Sequence, residues 1–141
     1  MHALADKLAI QELLGSYCFS VDERNWALLR RLFTDDGEWV TAYAQTNGGD
    51  EVVRLMERLV PPEGEGPKRV HCVSNIVVTL HGDTATSKSN YVIYRESDGG
   101  IVPSVVGTYL DDLRREDGAW KFRKRNIVHR LSGDLGLRKT P

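Results

Sequence analysis

The chain has 141 residues, 19 Lys and Arg against 20 Asp and Glu, and a formal net charge of −1, a length that suits one domain over 1–141. With 40% hydrophobic and 28% charged residues it lies far from disordered compositions, and its near neutrality leaves no general attraction for nucleic acid or anionic lipid. No apolar run is long enough to span a membrane and the first residues lack the apolar segment of a secretory signal, so a cytoplasmic protein is expected.

Apolar residues at Ile10, Leu13, Leu14, Tyr17, Cys18 and Val21 keep the spacing of an amphipathic helix, which Asp22-Glu23-Arg24-Asn25 should end. A second short helix carries Trp26, Leu29, Leu32 and Phe33 and should stop at Thr34-Asp35-Asp36-Gly37, with a strand over Glu38 to Tyr43. Asp50 is the expected N-cap of a third helix bearing Val52, Val53, Met56, Leu59 and Val60, ended by Pro61-Pro62. Glu63 to Pro67 reads as a flexible loop. From there on, Val70–Leu80, Thr84–Glu96, Ile101–Leu113 and Ala119–Leu131 are β-rich runs separated by hairpin signals, leaving Gly133 to Pro141 as a candidate tail. Helices followed by a long antiparallel meander predict an α+β fold, a curved sheet wrapped over helices on one face. Apolar residues on both faces of the strands carrying Ile76-Val77-Val78 and Val105-Val106 predict a homodimer.

Strand alternation places His71 and Asn75 on one face, with Cys72 on the other; Cys72 and Cys18, lacking any zinc or redox spacing, read as core residues. Tyr91, Ile93 and Arg95 share one face of the next strand, opposite Val92 and Tyr94, and alternation alone leaves open which face meets a pocket. His71, His81 and His129 show no clustered ligand spacing, so no metal is expected; His81 and His129 read as ordinary exposed or strand-end residues. Gly48-Gly49 and Gly99-Gly100 lack the strand-to-helix context of a phosphate loop, and no Ser sits in a nucleophile elbow, which argues against nucleotide cofactors and serine hydrolysis.

Tyr17-x-x-x-Val21-Asp22, Trp26, Leu32-Phe33-Thr34-Asp35-Asp36-Gly37-Glu38-Trp39, His71 with Asn75 four residues on, Gly82-Asp83-Thr84-Ala85 and Asp117-Gly118-Ala119-Trp120-Lys121-Phe122 together resemble the SnoaL-like branch of the nuclear transport factor 2-like superfamily over about 5–131. The resemblance implies a cone in which a bent antiparallel sheet and three N-terminal helices enclose a pocket, commonly dimerising through the outer sheet face. In dehydratase and dehydrochlorinase members an Asp after the first helix pairs with a His on the strand to form a proton-abstracting dyad. Asp22 and His71 match those places. A carboxylate on one imidazole nitrogen fixes the tautomer and leaves the other nitrogen to take a C–H proton near neutral pH. Tyr17 matches a tyrosine that hydrogen-bonds a developing oxyanion in ketosteroid isomerase-like members, while the acid those isomerases use as base has no counterpart around Trp39-Val40-Thr41-Ala42. The second His of the dehydratases is absent from 91–96, where Tyr91 or Arg95 could polarise a leaving group; Trp39 and Asn75 complete the expected substrate-binding set, and Arg125 is the candidate anion binder, its other reading being a salt bridge to an acidic helix residue. Two functions follow. One is a cofactor-independent lyase of dehydratase type, or an isomerase, acting on a small hydrophobic, cyclic or aromatic substrate. The other is a non-catalytic ligand-binding or accessory domain, such as a dioxygenase small subunit. An Asp22–His71 hydrogen bond facing an apolar cavity would favour the first, a filled interior the second.

Overall fold

The computed structural model describes residues 2–132; the candidate tail lies outside them. Helices α1 (Ala3–Asp22) and α2 (Trp26–Leu32) precede strand β1 (Phe33–Val40), helix α3 (Gly49–Leu59) and four strands, β2 (Arg69–His81), β3 (Thr84–Ser97), β4 (Gly100–Glu116) and β5 (Ala119–Ser132). The strands form one sheet in the order β1-β5-β4-β3-β2. The expected α+β arrangement is present, with one correction: β1 joins β5 in parallel, so the sheet is mixed, and only β2 to β5 form the antiparallel meander. The sheet is open, with β1 and β2 at its edges.

Local chemistry explains the elements. The buried stripe of α1 consists of Ile10, Leu13, Leu14, Tyr17, Cys18 and Val21, with Ser20 beside it. Asn25 caps α2 by accepting from the Leu28 N–H at 3.1 Å. The β4–β5 hairpin turns on Asp117 and Gly118 with φ of 51° and 79°, the left-handed pair that matches the twist of the flanking strands.

Three boundaries differ from expectation. Thr34 to Gly37 does not break the chain: β1 begins at Phe33, and these residues form a bulge within it, Phe33 facing Phe122 and Glu38 facing Lys124. Arginines hold the acids of this segment, Asp35 through Arg30 and Asp36 through Arg114 and Arg123. The strand then ends at Val40, and Thr41 turns the chain by accepting from the Tyr43 and Ala44 N–H groups. Asp50 lies inside α3, whose N-cap is Gly48, and its carboxylate accepts from Arg30 Nε at 2.7 Å.

The consequential difference is in β2. Its pairing with β3 shifts register between Ser74 and Val77, and Asn75 there adopts φ 56°. An extra residue reverses the alternation. His71 and Val73 face inward before the bulge, Ile76, Val78 and Leu80 after it, and Asn75 is exposed. Cys72 is exposed as well, whereas Cys18 is buried.

Beneath the helices, Tyr17, Phe33, Tyr109 and Phe122 form an aromatic cluster with ring centroids 5.1 to 6.4 Å apart. Arg125 lies within it, fully buried, its Nε and Nη2 donating to Asp111 at 2.8 and 2.9 Å and its guanidinium carbon 3.7 to 4.3 Å from the Tyr109, Tyr17 and Phe122 ring centroids. Its expected anion-binding role is thus corrected. Arg125 is already occupied by a carboxylate from the neighbouring strand, not from a helix.

Two measurements check these points. Asp111→Ala should lower unfolding free energy by about 3–5 kcal/mol in urea titration, because it strands a buried charge, whereas Asp111→Leu with Arg125→Met should cost much less. Asn75→Gly should leave stability within about 0.5 kcal/mol, while Asn75→Val should cost about 1–2 kcal/mol, since a β-branched residue resists positive φ.

Candidate active site

Asp22 is the last residue of α1, a position where the helix dipole disfavours a carboxylate and where α1 supplies no basic side chain in its last turn. The cost is offset across the gap to β2. Asp22 Oδ2 accepts the His71 main-chain N–H at 2.9 Å, and Oδ1 lies 2.6 Å from His71 Nδ1. Both side chains are mostly covered, at 12% and 15% exposure for His71 and Asp22. With Nδ1 donating to Asp22, the neutral ring carries its lone pair on Nε2.

The pair lies on the wall of a cavity of about 330 Å³, within the range of small-ligand sites. Val21, Met56, Leu59, Val60, Ile93 and Ile127 supply apolar wall. Pro61 and Pro67, from the segment joining α3 to β2, and Arg69 at the start of β2 also line it.

Tyr17, Trp39 and Tyr91, all expected site residues, line this cavity. Tyr17 Oη accepts the Trp39 indole N–H at 2.9 Å, so its own proton is available to a ligand. Burial pushes the Tyr17 pKa above its ordinary value, against the opposing pull of Arg125 and the Trp39 bond. Tyr91 is likewise pushed up by burial, and its hydroxyl has no hydrogen-bond partner among the described residues. Both phenols stay neutral donors at physiological pH. Tyr91 reaches its place because residue 107 is glycine: a Cβ there would meet Tyr91 Oη at 2.6 Å and also collide with the Val128 carbonyl. The Tyr91 ring stacks on Tyr109 at 4.4 Å between centroids.

Three expected site residues lie elsewhere. Asn75 sits on the exposed bulge, and Arg125 is buried against Asp111. Arg95 follows Tyr91 and Ile93 on the inward side, but lines a separate groove with Pro67, Glu96 and Ser97 and donates to the Glu96 carbonyl at 2.7 Å. His129, expected to be an ordinary strand-end residue, lines the cavity and stacks with Tyr43. Arg24, Arg69 and Tyr109 are further lining residues that sequence reasoning missed. The signal available for Arg69 was its place two residues before His71 on the same strand face.

Comparison with known proteins agrees with this architecture. An uncharacterised protein of Mycobacterium tuberculosis is 33% identical over 128 residues, covering 86% of this chain and 84% of its own. Gamma-hexachlorocyclohexane dehydrochlorinase of Sphingobium indicum is 26% identical over 126 residues, covering 87% of this chain and 80% of its own. Among solved structures, a candidate scytalone dehydratase of Novosphingobium aromaticivorans superposes with a TM-score of 0.82 at 22% identity, over 96% of this chain and 91% of the other, a likeness of fold. The model of the SnoaL-like domain matches residues 2–126, and with that span matched, on this sheet and these three helices, the chain belongs to the SnoaL-like domain family.

Proposed function

We propose that the protein is a cofactor-independent lyase that removes a proton and a neighbouring leaving group from a small, largely apolar substrate. One observation carries this reading: Asp22 grips both the main chain and Nδ1 of His71 at the wall of an apolar cavity. His71 Nε2 takes the proton from a carbon acidified by an adjacent electron-withdrawing group, and the C–H electron pair becomes the new double bond as the leaving group departs. A leaving hydroxide takes the proton back from the imidazolium, so the substrate loses water and the enzyme regains its starting state. Asp22 stabilises the imidazolium that forms between the two events. Tyr17 and Tyr91 are neutral donors suited to an oxygen on which charge develops. Without a leaving group, the same dyad would return the proton to another carbon and act as an isomerase. A non-catalytic ligand-binding or accessory domain would not need an imidazole held by a carboxylate at the cavity wall, and the Asp22–His71 bond supports the lyase reading over it. The similarity to a dehydrochlorinase, an eliminating enzyme by name, supports the choice of elimination.

We also propose that the protein is a homodimer, joined through the sheet face turned away from the helices. Val70, Val77, Leu110 and Leu131 are exposed on β2, β4 and β5, Val77 and Leu131 to 66%.

His71→Gln should lower kcat by about 10²–10⁴-fold with the circular dichroism spectrum unchanged. Asp22→Asn should cost a comparable factor, because the amide favours the wrong tautomer, and the double variant little more than either single one. Activity of His71→Gln within threefold of the parent would remove the base assignment. For the assembly, sedimentation equilibrium at micromolar concentration should give twice the chain mass, and Val77→Lys should shift it toward the monomer; a monomer in the parent protein contradicts the proposal.

A further inference from the structure

The cavity's charged groups are unevenly matched. Among the described residues that line it, Asp22 is the sole carboxylate, and both its oxygens are committed to His71. Two arginines line the same cavity. Arg24 follows Asp22 by two residues and Arg69 precedes His71 by two, so the arginine pair flanks the dyad on the same two segments of chain. Two residues of extended strand span about 7 Å.

Neither arginine has a carboxylate partner among the described residues. Arg24 Nε donates to the Pro61 carbonyl at 2.6 Å and Nη1 to the Asp22 carbonyl at 3.3 Å, which fixes the guanidinium against the wall without neutralising it. Arg24 adopts φ 55° as the left-handed residue that terminates α1, its N–H bonded to the Val21 carbonyl and that of Asn25 to the Ser20 carbonyl. Arg69 is exposed where it lines the cavity, and its side chain makes no hydrogen bond or ion pair among the described residues. Arg30, Arg114, Arg115, Arg123 and Arg125, away from the cavity, are each paired with a carboxylate.

Resting on the elimination reading, we propose that the substrate carries a carboxylate, seated between Arg24 and Arg69, which holds its apolar portion in the cavity with the reacting carbon before His71. A planar carboxylate matches the fork of a guanidinium. Its charge also offsets part of the positive charge of the two arginines beside the imidazolium that forms during proton transfer, so binding and chemistry favour the same ligand. Arg24 and Arg69 are therefore specificity-determining residues for an acid over its neutral analogue.

The test uses 3-phenylpropanoate and its neutral isostere 3-phenylpropanamide, titrated by calorimetry at low salt into the parent protein and into Arg69→Gln, Arg69→Glu and His71→Gln. The acid should bind about tenfold more tightly than the amide, as a charge-assisted pair at a partly exposed site allows, and the preference should shrink as salt is added. Arg69→Gln should remove most of that preference and Arg69→Glu reverse it, with amide affinity little changed in both. Equal binding of acid and amide by the parent, binding of neither, or an Arg69→Gln effect that is the same for both ligands would overturn the proposal. Inorganic phosphate displacing the acid at low millimolar concentration would assign the arginines to a phosphate group and overturn it too. His71→Gln should retain the acid preference. Loss of the preference in Arg69→Gln without any change in the dependence of turnover on His71 bears on the carboxylate seat, whereas turnover independent of His71 bears on the elimination reading.

Discussion

A single carboxylate joins the helical layer to the sheet. β2 is an edge strand, and the His71 N–H is directed away from β3 toward that open edge, where an unpaired donor invites foreign strands. Asp22 satisfies it. The same carboxylate reaches the imidazole, so the bond that sets the position of α1 against β2 also sets the angle of the ring. Asp22 does this from a helix C-terminus, where its charge is unfavourable in isolation, and the two bonds to one residue compensate for that placement. The dyad is thereby built into the packing of two secondary-structure elements, not carried on a free loop.

A second constraint lies under the cavity. Arg125 holds full charge in the interior because Asp111 faces it at hydrogen-bond distance, and burial, which works against the charge, is outweighed by that carboxylate. Its Nη1 has no acceptor among the described residues and lies against ring faces instead. The charge sits below Tyr17 and limits how far burial can raise the Tyr17 pKa. Position and proton affinity of that phenol therefore depend on a pair that itself never lines the cavity. Gly107 acts similarly on Tyr91, admitting its ring by the absence of a side chain.

The parts legible in the sequence are those governed by local periodicity or by pattern. The stripe of α1, the three hairpins and the family signature lead directly to the helices, the meander and the Asp22–His71 pair. The parts that were not legible depend on register. Nothing in Ser74-Asn75-Ile76-Val77 marks a bulge, yet that one inserted residue moves Asn75 from the cavity to solvent and turns Ile76 and Val78 inward. Thr34-Asp35-Asp36-Gly37 has the composition of a turn, but distant arginines hold its acids along a strand. Arg125 in isolation reads as an anion binder, because the register that places Asp111 beside it is a long-range property of β4 and β5. His129, read as an ordinary strand-end residue, lines the cavity because cavity walls are assembled from segments distant in sequence.

The fold separates its charges by use. Those that hold it together are paired with opposite charges, as Arg115 is with Asp6 and Arg125 with Asp111. Two of those at the cavity are fixed without a neutralising acid or base: Arg24 by two carbonyls, and Asp22 by the main-chain N–H and imidazole of His71. A cation satisfied only by carbonyls keeps its net charge, whereas an ion pair cancels it at a distance. Fixed groups of this kind need no rearrangement when charge moves onto or off a ligand, the condition under which protein dipoles and ions assist a reaction most. Among the described residues, Arg24, Arg69 and the Asp22–His71 pair line the same cavity, so a ligand there would meet both guanidinium groups and the imidazole.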